Sequence, residues 1–217
     1  MKLSDSAMLG LTMLVLCSVA ISACGSSSRA SRTPKVPGLS GGQAARKRWT
    51  PPPVVARPIV EQPGAVAVGT VVRTAALSSR VFADGVHGYA LAFIDSETYP
   101  AATVDSGKTW RVDGPVFHIP AAQGAVAVGA MGVASAGTAF AWGGVIPNTV
   151  VDVTTDGGKH WWQSFLPGSV LFVGQGGPGE LLANVYGRVT MDGTTHTGLW
   201  AYRTTTGRRW TYAYHLS

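Results

Sequence analysis

The feature that most constrains this chain is an eight-residue element that occurs twice. Thr103-Val104-Asp105-Ser106-Gly107-Lys108-Thr109-Trp110 and Thr154-Thr155-Asp156-Gly157-Gly158-Lys159-His160-Trp161 carry Asp, Gly and Trp at identical offsets, 51 residues apart. A third copy, Thr204-Thr205-Thr206-Gly207-Arg208-Arg209-Trp210, follows 49 residues later; it keeps Gly207 and Trp210 and has Thr205 at the aspartate position. Aromatic lead-ins precede the first two copies, with Tyr89 and Phe140 each 16 residues ahead of the aspartate. Gly-Ala-Val-Ala-Val-Gly also occurs twice, at 64–69 and 124–129, and is expected to form an equivalent strand in each unit. A period of this length marks a stacked array of like supersecondary units.

Each element has the composition of a tight turn between antiparallel strands. Asp105 and Asp156 are suited to accept hydrogen bonds from turn N–H groups, and in the third copy the Thr205 hydroxyl is expected to do so more weakly. Gly107, Gly158 and Gly207 supply positive φ. Trp110, Trp161 and Trp210 are expected to cover a sheet edge and bury a large apolar area. Around the repeats, apolar residues come in short Val-, Ala- and aromatic-rich runs bounded by turn residues, as in 65–72, 88–94, 149–154, 171–174 and 199–204. No window sustains a helical period. The fold class is therefore all-β.

The eight-residue element resembles the Asp box, or BNR repeat, of sialidase-like β-propellers, and its aromatic lead-in looks like the blades of photosystem II assembly factors. The resemblance covers residues 64–217 and implies a partial β-propeller of about three four-stranded blades. Propellers close with 4 to 8 blades, which leaves three alternatives. A fourth blade is hidden in degenerate sequence, or chains self-associate to complete the ring, or the chain is a shortened relative of a longer one.

The N-terminal quarter has a different character. Lys2 is followed by an apolar run from Met8 to Ala23 that is too short to span a bilayer comfortably and has the order of an export signal. Ile21-Ser22-Ala23-Cys24-Gly25 resembles the lipobox of bacterial lipoproteins, which implies cleavage after residue 23 and a diacylglyceryl thioether on Cys24. The other cysteine, Cys17, lies in the segment to be removed, so the remainder of the chain has no thiol for a disulfide or a Cys metal site. Residues 24–63 are rich in Gly, Ser, Pro and Arg and are expected to form a disordered tether. Between Gly25 and Pro63 seven Lys or Arg face Glu61 alone, whereas from Gly64 onward nine basic residues balance nine acids. The net charge of +6 thus belongs to the tether, where anionic lipid headgroups attract it, and not to a nucleic-acid-binding face.

Chemistry-bearing motifs are sparse. The histidines at 87, 118, 160, 196 and 215 have no zinc-like spacing, and neither a metal nor another cofactor is expected. Gly174 to Gly179 reads as a wide turn rather than a phosphate cradle. A glycosidase pair would draw on Glu97, Glu180, Asp84, Asp95, Asp113, Asp152 or Asp192, and catalytic sialidases clamp their substrate with three arginines, for which Arg73, Arg111 and Arg188 are the candidates. Arg111 directly follows a repeat tryptophan, which argues against that role. The expectation is a membrane-tethered, exported lipoprotein with a non-enzymatic binding or scaffold role toward a protein or glycan. Tyr99, Trp142 and Tyr186 are the candidate interface aromatics, and a sialidase-like glycoside hydrolase is the alternative.

Overall fold

The computed structural model describes residues 50–118, 128–145, 148–191 and 193–216. Cys24 and the whole segment 1–49, the 124–127 part of the second Gly-Ala-Val-Ala-Val-Gly copy, and Asp192 lie outside the described residues. Among the described residues there are fifteen strands and one 3-10 turn, and no helix is long and apolar enough to cross a membrane.

Three short strands come first: β1 (Val54–Val55), β2 (Arg57–Pro58) and β3 (Val71–Val72). Three four-stranded meanders follow. The first is β4 (Leu77–Phe82), β5 (Gly88–Ile94), β6 (Glu97–Thr103) and β7 (Trp110–Val112). The second is β8 (Val128–Ser135), β9 (Thr138–Val145), β10 (Asn148–Thr154) and β11 (Trp162–Phe165). The third is β12 (Ser169–Gly177), β13 (Glu180–Met191), β14 (Thr194–Thr204) and β15 (Arg209–Leu216). The fold is all-β, and every sheet is antiparallel.

Each sheet has five strands, not four, because the N-terminal strap adds one to each. The strap visits the sheets in reverse order: β1 pairs with β15 of the third, β2 with β11 of the second and β3 with β7 of the first. Residues 54–63, which composition groups with the tether, therefore begin inside the β-domain. The last strand of each meander would otherwise present unpaired N–H and C=O groups, and the strap satisfies part of that edge. The extra strand at 64–69 does not form. Gly64 and Gly69 adopt φ of 84° and 89°, and Thr70 N donates to Ala67 O in a turn. Ala65 and Val66 instead pack on the first sheet. The expected wide turn at 174–179 is also absent, because β12 runs on to Gly177 and the reversal is the tight Pro178-Gly179 pair.

Two apolar seams join the sheets. Tyr89 and Leu91 of the first sheet meet Met131, Ala139, Ala141 and Trp161 of the second. Phe140, Val151 and Val153 on the other face of the second sheet meet Val173, Leu181, Val185, Trp200, Tyr202 and Trp210 of the third. On the outer face of the first sheet, Leu77, Ala90, Ala92, Tyr99 and Ala101 pack with the chain's own Ala65, Val66 and Ala76.

Candidate functional site

The repeated element forms the turn before the last strand of each meander, and in the second and third copies it presses back on the sheet before it. In the first copy, Asp105 Oδ1 accepts from Thr109 N at 2.8 Å and from the Thr103 hydroxyl at 2.7 Å. In the second, Asp156 Oδ1 accepts from His160 N and from the Thr154 hydroxyl, both at 3.0 Å. Hydrogen bonds from Thr109, Thr103 and Lys108 hold the Asp105 carboxyl below its ordinary pKa. For Asp156, partial burial pulls the other way, but the bonds from His160 and Thr154 outweigh it. Both aspartates are thus ionised acceptors occupied by their own turns.

The threonine that opens each copy was missed in the sequence. Thr103, Thr154 and Thr204 all accept the glycine N–H through Oγ1 at 3.0 Å, to Gly107, Gly158 and Gly207 respectively. Counted from that threonine, the third turn is one residue shorter before its glycine, and Thr206, whose N–H bonds to Thr204 Oγ1 as those of Asp105 and Asp156 bond to Thr103 and Thr154, stands at the aspartate position. Thr205 does not stand there: the hydroxyls bonded in this turn are Thr204, which also accepts from Thr206 N, and Thr206, which accepts from Arg208 N. Alignment on the Thr rather than on Gly and Trp would have shown the deletion.

The glycines and tryptophans join neighbouring sheets. A Cβ on Gly158 would run into the Asp113 carboxylate of the first sheet, and one on Gly207 into Val153 of the second. Trp161 donates its indole N–H to Asp113 O at 3.1 Å, and Trp210 donates to Ser164 Oγ at 3.0 Å. Trp110 has no preceding sheet; it donates to its own turn at Gly107 O and packs edge-on against Phe82. All three tryptophans are buried, Trp161 and Trp210 at seams and Trp110 within the first sheet's own cluster.

Two carboxyls unused by the turns stand at the first seam, Asp152 buried and Asp113 half-buried. Asp152 is wholly buried; its Oδ1 accepts from Gln163 Nε2 at 3.0 Å and its Oδ2 has no partner. Gln163 in turn donates to His118 O. Burial pushes Asp152 up to about 7 against the weaker opposing pull of Gln163. Asp113, whose Oδ2 is likewise buried without a partner, is also pushed up to about 7, by burial and then by the Asp156 charge. Tyr89, which donates to Ala136 O at 2.7 Å, belongs to the same group, raised to about 12 by burial and then by the Asp113 and Asp156 charges. A signal for Asp152 was present: Thr149 to Thr154 is apolar on both faces, and a strand covered on both sides must bury any acid within it.

Two concavities accompany these groups. A cleft of about 350 Å³ is lined by Ala102, Thr103, Val104, Asp105, Thr109, Arg111 and Asp113. A larger hollow of about 650 Å³ on the third sheet is lined by Pro167, Gly168, Ser169, Tyr186, Gly187, Arg188 and Thr197. The three arginines are not brought together as a clamp: Arg111 donates to Gly69 O at 2.9 Å and so fixes the strap to the first sheet, while Arg188 stands on the third. Tyr99 is no interface aromatic. It is 3% exposed in the core, where its hydroxyl accepts from Val66 N. Trp142 is half-buried against Phe140, and Tyr186 is exposed. The other acids are dispersed: Asp84 pairs with His87 at 2.8 Å and Glu180 faces Arg203 at 3.7 Å. No group of three or more His, Cys, Asp or Glu able to hold a metal occurs among the described residues. Comparison with known protein families, curated proteins and solved structures finds no match to this chain.

Proposed function

We propose that this protein is an exported lipoprotein, anchored through Cys24 to the outer face of the cytoplasmic membrane. Its β-domain is then an arc of three BNR-type, propeller-like blades with a non-enzymatic binding or scaffold role. The observation that carries the binding reading is the contrast between the repeats and the large hollow. The repeat aspartates are consumed in their own turns, whereas the hollow presents Tyr186 and Arg188 with no carboxylate among its lining residues. An aromatic face beside a guanidinium suits a protein or glycan surface, since Tyr and Arg are the side chains that dominate interface energetics. The anchoring half is tested by fractionating cells that express the wild type and Cys24→Ala: the wild type stays with the membrane and the variant is released or unprocessed. A variant that remains membrane-bound and normally cleaved overturns it.

One observation favours the sialidase-like hydrolase as a second reading. The 350 Å³ cleft gathers Asp105, held ionised, and Asp113, whose pKa is raised to about 7. Two carboxyls whose surroundings push their proton affinities apart are the requirement for an acid and a base or nucleophile. Turnover of a panel of fluorogenic glycosides, abolished by Asp113→Asn, supports that reading, and no turnover on any of them sinks it.

A further inference from the structure

We propose that the outer face of the third sheet is where two copies of this chain meet face to face. The inference rests on the binding or scaffold reading and names its partner as a second copy. Strand register fixes what stands on that face. Phe172, Asn184, Ala201 and Tyr214 form one line across the four long strands, and Ser169, Tyr186, Leu199 and Leu216 form the adjacent one. Phe172, Tyr186, Tyr214 and Leu216 remain 52%, 51%, 42% and 56% exposed. Beneath them Ala201 is wholly buried, and Asn184 Oδ1 has lost solvent without gaining a partner. Contiguous apolar surface of this kind, rimmed by polar residues, marks an interaction site.

The two ends of the arc differ in a way that selects the occupant. At the first sheet, Ala65, Val66 and Ala76 of the same chain already pack on the outer face. A ring closed by docking the third sheet of one copy on the first sheet of another would have to displace that cover. Third sheet on third sheet needs no displacement, and two copies of one twisted sheet match each other in twist. Four strands about 4.8 Å apart and about eight residues long present a face on the order of 500 Å² in projection. With side-chain relief that approaches the roughly 800 Å² per partner of a standard stable interface.

Charge fixes the orientation. A two-fold axis running across the strands at Asn184 exchanges the Arg188 end of β13 with the Glu180 end. Arg188 of each copy then lies over Glu180 of the other, beside the Arg203 that Glu180 already faces at 3.7 Å. The same axis keeps β1 above β1, so Thr50 and the residues leading into that strand come from one edge of the pair.

The test places a photo-crosslinking phenylalanine analogue at Tyr186 in the full chain, irradiates intact cells, and sequences the joined peptides. The expected product is a dimer at twice the monomer mass, linked to peptides of β12 to β15 of the second copy. Adding Phe172→Glu and Tyr214→Glu to the same chain should lower the cross-linked fraction about tenfold, as like charges brought together at an interface do, without moving its thermal unfolding. Linkage to residues 65–76 of a second copy, linkage to a different protein, or no linkage each overturn the proposal. Membrane fractionation of the same cells reads the Cys24 anchor separately, so loss of the dimer in a membrane-held protein refutes this inference alone.

Discussion

The two seams between sheets use the same device and differ in what they bury. At both, a glycine of the repeat presses on the preceding sheet and a repeat tryptophan donates its indole N–H into it. The seam between the second and third sheets is otherwise apolar and aromatic, built on Trp200, Tyr202, Trp210, Val151 and Val153. The seam between the first and second adds Asp152 and Asp113, each with a buried oxygen that no protein group bonds, to an apolar cluster around Tyr89, Leu91 and Met131. The second seam is therefore expected to be indifferent to pH, and the first to weaken as its two carboxyls ionise.

The largest expected effect tests the second seam. Trp210→Ala removes a wholly buried indole and orphans Ser164 Oγ, and such truncations cost about 3–5 kcal/mol. Urea unfolding of the variant should show that loss equally at pH 5 and pH 8. A cost that grows with pH would mean that the second seam is also titratable.

The first seam predicts a pH dependence of definite sign. Asp152 and Asp113 titrate near 7 when folded and near 3.8 when unfolded. Between those values the folded chain holds protons that the unfolded chain has released, so stability falls as pH rises from about 4 to about 7. The Asp84 carboxyl, held at about 2 by the His87 and Val86 N–H groups, acts oppositely and only at more acidic pH. Asp152→Asn keeps the acceptor for Gln163 and removes the charge. It should raise stability at pH 8 by about 2 kcal/mol, the order of the penalty for a buried unpaired group, and leave pH 4 unchanged. Equal effects at both pH values would remove Asp152 as a source of that dependence.

How much of this was legible in the sequence follows from how local each feature is. The repeat turns, their glycines and the all-β class depend on residues within eight positions of one another, and spacing exposes them. The strap does not announce itself. Val54–Val55 and Arg57–Pro58 are two residues long, too short for any period, and they are strands only because β15 and β11 offer them an edge. The burial of Tyr99 and the exposure of Tyr186 likewise depend on which sheet face is covered, a property of the packed sheets rather than of either segment. The deletion in the third turn was hidden because the Gly and Trp offsets survive it.

Gly157 and Gly158 separate the seam contact from the turn itself. Both have positive φ, 70° and 86°, but a Cβ on Gly157 meets open space while one on Gly158 meets the Asp113 carboxylate. Gly157→Ala should therefore cost only the backbone strain, about 1 kcal/mol, and Gly158→Ala roughly twice that or more. Thermal unfolding of the pair checks it, and equal costs would mean that the approach of Asp113 relaxes freely.

The smallest effect lies in the third turn, where the two neighbouring threonines should behave differently. Thr204 is buried, and its hydroxyl accepts from Gly207 N at 3.0 Å and from Thr206 N at 3.3 Å. Thr204→Val keeps the shape and leaves those donors without their acceptor, which costs about 1–2 kcal/mol. Thr205 is exposed, and its neighbours already supply the turn's side-chain bonds, so Thr205→Ala should fall within about 0.5 kcal/mol of the wild type. A Thr205→Ala loss as large as that of Thr204→Val would restore Thr205 as the stand-in for the missing aspartate. Otherwise the third turn holds through the threonine that all three copies share, and the aspartate is an addition peculiar to the first two.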